Sequence, residues 1–272
     1  MNRLKLSTAV LMFLCAALVL TICARLLPEG QTVYADEFMW YYLPHDTDVP
    51  PQPMEKAAYI SDYNVLYLGD TTQKVIYLTF DDCPNNDNIP EILDILDVHG
   101  ATAAFFMNEA YILSHPDVIC RIAESGSIVG NHTAHHIGMS RVTFEKFKSE
   151  LAGVEDAYRE ATGEELPKYF RPPQGLFSEK TLSYAEELGY TTVFWSFRYE
   201  DWNLSNQPSD DRAFNTIMAE THPGEIALLH AQSPANLHVL DRVLTAWEEA
   251  GYTFGSLRDI PHAAQIDSPE ED

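Results

Sequence analysis

Two aspartates and two histidines have the residue types and the spacing of a catalytic metal site. Asp81 and Asp82 follow the apolar run 75–80, and the proline and asparagines after them indicate that a strand ends there. His132 and His136, after a second apolar run, can converge on one ion if a turn of helix begins there. Imidazole and carboxylate are zinc ligands, and catalytic zinc sites usually have three protein ligands, so Asp82, His132 and His136 would make such a set. The alternatives are a solvated turn and a surface histidine cluster.

Three later segments carry further candidates. Arg171 precedes two prolines and stands in a rigid loop, where it either pairs with a carboxylate or is simply exposed. The aromatic stretch 195–202 suits stacking on a sugar face, but equally suits core packing. His230 ends an apolar run; a lone histidine is usually structural, but this position makes it a candidate general acid.

The elements that must position these residues alternate regularly between strand and helix. The predicted strands are residues 75–80, 103–107, 127–130, 191–197, 226–229 and 252–254, and the predicted helices are residues 89–99, 116–124, 143–162, 178–189 and 235–250. Such alternation implies parallel strands joined by crossover helices. Six or seven units in about 200 residues favour an α/β barrel like the (β/α)₈ fold, complete or incomplete, over an open sheet. The candidates fall where barrel active sites lie, at the strand ends.

The two ends of the chain read differently from this central region. The apolar run 6–24 is long enough to span a hydrocarbon core of ~30 Å, and it also fits a secretory signal. We therefore predict a signal peptide or membrane anchor over 1–35, and an exported protein in either case. We further predict an extended, proline-rich spacer over 36–58, a single catalytic domain over 59–260 and an acidic, disordered tail over 261–272.

Composition narrows the class of partner. Lys and Arg number 17 against 41 Asp and Glu among 272 residues, for a formal net charge of −24. Such an acidic surface argues against nucleic acid and against anionic lipid or teichoic-type polymers, and fits a neutral or amidated substrate. Only Cys83 and Cys120 lie beyond the first apolar run, so no disulfide framework is expected.

Five segments, read in order, resemble the motifs of the polysaccharide deacetylase family, also known as NodB-homology proteins or carbohydrate esterase family 4. They are Thr79-Phe80-Asp81-Asp82, His132 to His136, Arg171-Pro172-Pro173-Gln174-Gly175, Asp201-Trp202 and Leu228-Leu229-His230. The resemblance covers roughly residues 67–257. It implies a distorted (β/α)₇₋₈ barrel and the removal of N-acetyl groups from a glycan.

The resemblance also implies a metal site and a general base. Asp82, His132 and His136 would bind Zn²⁺ or another divalent transition metal. That ion would polarise the acetyl carbonyl and lower the pKa of its water. Asp81 would be the general base for this water, held by Arg171.

The remaining motif residues would serve the leaving group and the acetyl group. The resemblance implies that His230 protonates the departing amine, with Asp201 orienting it and favouring its charged form. Trp202 and Leu228 would line the acetyl pocket, and the backbone N–H of Gln174 would help to bind the oxyanion.

A narrower likeness concerns the substrate. Segments 66–70, 194–197 and 230–236 resemble the delta-lactam-biosynthetic de-N-acetylases of spore cortex peptidoglycan, which act on N-acetylmuramic acid residues whose peptide has been removed. Peptidoglycan is therefore the expected partner. The alternative within the enzyme class is a peptidoglycan N-acetylglucosamine deacetylase.

Three residues depart from the family pattern. Cys83 stands where Gly is usual, Gln174 where Tyr is usual, and Arg198 where an Asp is common. Because Cys83 and Arg198 fall in or beside the site motifs, a catalytically silent cell-wall-binding domain also remains open.

Overall fold

In the part of the chain that the computed structural model describes, the protein consists mainly of parallel strands joined by helices. The described residues are 37–43, 51–53, 55–81 and 87–261. The predicted signal or anchor segment, the tail beyond residue 261, and both Asp82 and Cys83 lie outside them. Within those ranges, no helix combines the length and the apolar character needed to cross a membrane.

The described residues contain the predicted alternation from residue 75 onward, together with further short strands and helices. The strands are β1 (Phe38–Met39), β2 (Tyr42–Leu43), β3 (Gln52–Pro53), β4 (Val65–Leu66), β5 (Val75–Asp81), β6 (Ala103–Met107), β7 (Ile128–Asn131), β8 (Tyr169–Phe170), β9 (Leu176–Phe177), β10 (Thr191–Val193), β11 (Phe197–Arg198), β12 (Glu225–His230) and β13 (Thr253–Phe254). The helices are α1 (Ile89–Val98), α2 (Glu109–Ser114), α3 (Pro116–Glu124), α4 (Phe144–Thr162), α5 (Glu179–Glu187), α6 (Asp210–Glu220) and α7 (Pro234–Glu249). Short 3₁₀ segments span Glu55–Asp62, Pro173–Gly175 and Leu257–Asp259.

One parallel sheet curls into an incompletely closed barrel. Its order in the described part is β11-β12-β5-β6-β7-β8-β10-β4, and β13 also pairs with β5. The two ends of this order approach each other, because Leu68, just after β4, forms an isolated bridge with Glu225 at the start of β12. This architecture confirms the predicted distorted barrel.

The core lies on both faces of the sheet, which explains why the strands read as almost continuous apolar runs. Along β5, Ile76, Leu78 and Phe80 pack outward in the cluster that includes the helices. Tyr77, between them, packs inward with the barrel-interior residues.

Local sequence signals set the helix ends. Thr143 caps α4, accepting a hydrogen bond from the Lys146 backbone N–H at 3.3 Å, and the helix ends at Gly163 with a φ of 77°. Ser233 caps α7 in the same way, and Pro234 occupies its first turn.

The single strand predicted over 191–197 is wrong. The structure divides it into β10, which pairs with β8 and β4, and β11, which pairs with β12 at the opposite end of the sheet. Between them, the Phe194 N–H donates to the Leu66 carbonyl and the Ser196 N–H to the Ile226 carbonyl. Residues 194–196 thus cross the opening of the barrel. Their apolar side chains alone do not distinguish this crossing from a continuous strand.

The extended spacer predicted over 36–58 differs from the structure at residues 37–43. There β1 pairs with β9, and Trp40 is fully buried. The Trp40 backbone N–H donates to the Gly175 carbonyl at 2.8 Å, and its indole N–H donates to the Trp195 carbonyl at 2.8 Å. Its ring stacks on Phe194 with centroids 4.6 Å apart. Because an indole buries a large apolar area, this segment packs on the domain instead of extending from it.

Candidate active site

The carboxylate of Asp81 lies at the carboxyl end of the central strand and is paired with a buried arginine. Arg171, which follows β8, donates from Nη1 to Asp81 Oδ1 at 2.8 Å. Its Nε and Nη2 donate to the carbonyls of Val193 and Phe194 at 3.1 and 3.0 Å, so each guanidinium nitrogen has an acceptor. Burial raises the pKa of the Asp81 carboxyl, but the charge of Arg171 and its hydrogen bond lower it, and the net pKa is lowered. Asp81 is therefore ionised at neutral pH.

His132 follows β7 and presents one ring nitrogen toward Asp81. Its Nδ1 lies 2.9 Å from the Arg171 carbonyl oxygen, which can only accept, so Nδ1 carries the proton and Nε2 the lone pair. Nε2 is 3.7 Å from Asp81 Oδ2. Burial lowers the pKa of His132 to about 4, so its imidazole is neutral at neutral pH.

His136 converges on His132, but not through the helical turn considered from the sequence. The loop after β7 is irregular, and both Thr133 and His136 have positive φ, 69° and 51°. The two rings are 5.0 Å apart between centroids. Burial also lowers the pKa of His136, which leaves a second neutral imidazole. His135 turns away and contacts Glu150 at 3.0 Å.

These residues supply part of the donor set expected for a metal ion. His132 and His136 are neutral, neighbouring imidazoles, and the backbone carbonyl on Nδ1 of His132 is the partner that a metal-ligating histidine typically has. Asp82, the expected third ligand, lies outside the described residues. Among the residues that are described, no group of three His, Cys, Asp or Glu side chains has metal-binding geometry. The donors present fit a transition metal in type.

His230, at the end of β12, is held by a buried carboxylate. Its Nδ1 lies 2.7 Å from Asp201 Oδ1, and its backbone N–H donates to Asp201 Oδ2 at 2.7 Å. Because a carboxylate accepts, Nδ1 carries the proton and Nε2 faces away from Asp201. Burial lowers the pKa of His230, but the charge and hydrogen bond of Asp201 outweigh it and raise the net pKa.

The other predicted site residues lie around His230 and the Arg171 loop. The ring of Trp202 is 6.0 Å from that of His230 and is 40% exposed. Leu228 is buried two residues before His230, in the cluster of Trp195 and Phe194. Gln174 is exposed and has a φ of 60°, the left-handed conformation, in the turn directly after Arg171-Pro172-Pro173.

Two residues near the site have roles that the sequence does not predict. Asn236, near the start of α7, donates to Asp201 Oδ2 at 2.6 Å and to the His230 carbonyl at 3.1 Å, so it fixes both partners. In the sequence, Asn236 is recognisable only by its position three residues after Ser233, which caps α7. Trp40 supports Gly175 and Trp195, and the aromatic density of residues 38–42 was the signal that this segment is not a free spacer.

Comparisons with known proteins agree with this geometry. A family model described as polysaccharide deacetylase matches residues 68–193. An uncharacterized protein of Geobacillus stearothermophilus is 38% identical over 231 residues, 85% of this chain and 87% of the relative. The peptidoglycan-N-acetylmuramic acid deacetylase PdaA of Bacillus subtilis is 34% identical over 256 residues, 94% of this chain and 96% of the relative. The solved structure of Bacillus subtilis PdaA, a family 4 carbohydrate esterase, matches with a TM-score of 0.79 and 36% identity over 82% of this chain and 96% of that one. This chain therefore belongs to the polysaccharide deacetylase family of carbohydrate esterases.

Proposed function

We propose that this enzyme hydrolyses the N-acetyl amide of peptidoglycan amino sugars, with N-acetylmuramic acid preferred. One observation carries the proposal: Asp81 and His230 are register partners on adjacent parallel strands, at the ends where both strands open into the site. Neighbouring strands are about 4.8 Å apart. A carboxylate base and an imidazole acid are thus placed side by side, as hydrolysis of an amide requires. The likeness to the N-acetylmuramic acid deacetylase supports the choice of sugar.

Asp81 would act as the general base for the attacking water. Its pKa is lowered, so the carboxylate is ionised at neutral pH and has free lone pairs toward the water. Arg171 holds the carboxylate through one oxygen and leaves Oδ2, on the side of His132, for the water. The backbone N–H of Gln174, in the loop that Arg171 begins, would help to bind the developing oxyanion.

His230 would donate a proton to the departing sugar amine. Its Nδ1–H is committed to Asp201, so Nε2 is the nitrogen available for transfer. The raised pKa keeps a larger share of the imidazole protonated near neutral pH, which suits a general acid. Trp202 and Leu228 would line the pocket for the acetyl group. Trp202 is exposed and would stand at the rim, and Leu228 is buried and would form part of the wall.

We propose that His132 and His136, together with Asp82, hold Zn²⁺ or another divalent transition metal. Such an ion supplies Lewis-acid polarisation of the acetyl carbonyl and of water. Treatment with a chelator should abolish deacetylation, and added zinc should restore it. Because peptidoglycan lies outside the cytoplasm, we also propose that the enzyme acts there, secreted or anchored through residues 1–35.

The experiment measures acetate release by the purified, zinc-supplemented protein. The substrates are peptidoglycan glycans with and without stem peptides, and mass spectrometry locates the lost acetyl group. Loss of acetyl from muramic residues of the peptide-free glycan supports the proposal. Loss from glucosamine residues alone would assign the alternative activity, an N-acetylglucosamine deacetylase. Glycan binding without acetate release would instead indicate the silent wall-binding domain.

A further inference from the structure

Arg198, beside the proposed acid, is a cation without a carboxylate partner in the part of the chain that the structure describes. The chain has 41 acidic residues, and Arg121, Arg141 and Arg171 all pair with one of them. Within the described residues, the half-buried Arg198 guanidinium has neither a salt bridge nor a hydrogen-bond acceptor. Its charge is therefore available to a ligand.

The strand register places Arg198 on the wall of the site. Arg198 is the β11 partner of Leu228 in β12, and Leu228 precedes His230 by two residues. Phe197 and its partner Ala227 belong to the outer cluster. Because successive strand residues face opposite sides, Arg198 and Leu228 share the inner side.

Two indole rings flank the guanidinium. Its central carbon lies 5.3 Å from the ring of Trp202 and 6.0 Å from that of Trp195. Trp202 in turn lies 6.0 Å from His230, so a single ring separates Arg198 from the acid. The Trp195 indole N–H is buried and also has no acceptor among the residues described.

We propose that Arg198 binds the free lactyl carboxylate of N-acetylmuramic acid and so selects this sugar over N-acetylglucosamine. This inference rests on the proposed function. The lactyl ether is attached to the ring carbon next to the one that bears the acetamido group, so its carboxylate lies close to the bond that is cut. A guanidinium between aromatic faces is poorly hydrated and binds carboxylates in a bidentate manner. In a protein of net charge −24, this local cation also offsets repulsion of the anionic sugar.

The same interaction would distinguish a free lactyl group from one that bears a peptide. Attachment of the stem peptide converts the carboxylate into a neutral amide, which removes the charge that Arg198 recognises. Arg198 would therefore favour glycan strands whose peptides have been removed.

The test compares two glycans that differ only at the lactyl group, one with the carboxylate and one with the isosteric carboxamide. For the unmodified enzyme we expect kcat/KM to favour the carboxylate by about tenfold or more, the scale of a charge-assisted hydrogen bond. In Arg198→Gln this ratio should fall to near one, and in Arg198→Lys to an intermediate value. Arg212→Gln removes the same charge from the exposed face of α6 and should keep the ratio.

The outcomes separate this inference from the proposed function. A preference for the carboxylate that survives in Arg198→Gln overturns the role of Arg198 and leaves the proposed function intact. Equal rates for the two glycans in the unmodified enzyme also overturn it. Acetate release from glucosamine residues alone overturns both. If no sugar loses acetate, the proposed function fails. The inference then holds if the unmodified protein binds the carboxylate glycan more tightly than the carboxamide glycan and Arg198→Gln binds both equally. It is overturned if the two proteins show the same preference. Circular dichroism of each variant checks that the barrel has formed.

Discussion

The carboxylate of Asp201 binds His230 twice, once at the ring Nδ1 and once at the backbone N–H, both at 2.7 Å. Asn236 holds the same carboxylate at 2.6 Å, and the hydroxyl of Tyr199 donates to Asn236. Because Asp201 is fully buried, its charge acts on the imidazole with little screening by water. The geometry therefore fixes both the orientation of the His230 ring and its affinity for a proton.

Replacement of Asp201 by Asn should change how deacetylation depends on pH. The charge of Asp201 raises the pKa of His230 against the effect of burial, so its loss lowers that pKa. If protonated His230 is the general acid, the rate falls as pH rises through this pKa. We therefore expect the alkaline limb of the kcat profile to move to lower pH in Asp201→Asn. Acetate release across a pH series measures it.

Asp210→Asn serves as a matched control, because Asp210 is exposed at the start of α6 and its carboxylate pairs with the exposed His238. Its alkaline limb should coincide with that of the unmodified enzyme. An unshifted limb in Asp201→Asn would show that His230 is not the acid whose titration limits the rate.

Replacement of Asp81 by Asn should remove the general base. The amide keeps the size of the side chain but does not accept the proton of water, so kcat should fall by about 10²- to 10⁴-fold. Asp62→Asn changes an exposed aspartate and should leave kcat unchanged. Full activity of Asp81→Asn would assign the base to another group.

The sequence predicted most of the frame because its signals are local. Thr143 and Ser178 stand at the starts of two predicted helices, and both side chains accept capping hydrogen bonds in the structure. The break between β10 and β11 was missed because Phe194 and Trp195 are apolar whether they continue a strand or cross the barrel opening. The pattern of apolar residues indicates which side chains are buried, and these two side chains would be buried in a continuous strand as well as in the crossing.

Within the site, local patterns identified side chains by type, and the contacts of Arg171 with Asp81 and of Asp201 with His230 were expected only from the family resemblance. The pairing of Arg171 with Asp81 joins residues 90 apart, and no local pattern encodes it. The same holds for Trp40, whose indole reaches Trp195 across 155 residues. The loop geometry at His136 was also missed, since a positive φ in a residue other than glycine depends on its tertiary surroundings.

The packing of residues 37–43 can be tested by truncating Trp40. Its side chain is fully buried, stacks on Phe194 and bonds to the Trp195 carbonyl, so Trp40→Ala should lower the free energy of unfolding by about 3–5 kcal/mol. We also expect weaker activity, because Trp40 supports the Gly175 turn beside Gln174. Urea denaturation measures the first effect and acetate release the second.

The neighbouring Tyr41 gives the control, since its side chain is 46% exposed. Tyr41→Ala should change the free energy of unfolding by less than about 0.5 kcal/mol. Equal effects of the two substitutions would show that the segment does not pack on the domain through Trp40.

Glu225 is a buried acid at the end of β12 opposite to His230. One carboxyl oxygen accepts a hydrogen bond from the His222 backbone N–H at 3.1 Å, and the other is buried without a partner among the residues described. Burial raises the pKa of Glu225 well above its ordinary value. The carboxyl is therefore stabilised in its neutral form, and its ionisation opposes folding.

The pH dependence of stability should reveal this cost. The folded-state pKa of Glu225 is above its unfolded-state value. The contribution of Glu225 to the free energy of unfolding is therefore fully present below the unfolded-state pKa. It is lost as pH rises through the folded-state pKa. Between these two values the loss is about 1.4 kcal/mol per pH unit. Glu225→Gln does not ionise, so the difference in free energy of unfolding between variant and unmodified protein should grow in favour of the variant as pH rises. Urea denaturation at several pH values measures it, with the exposed Glu249→Gln as control. Parallel curves for the unmodified protein and Glu225→Gln would mean that Glu225 titrates normally, with water reaching its unpaired oxygen.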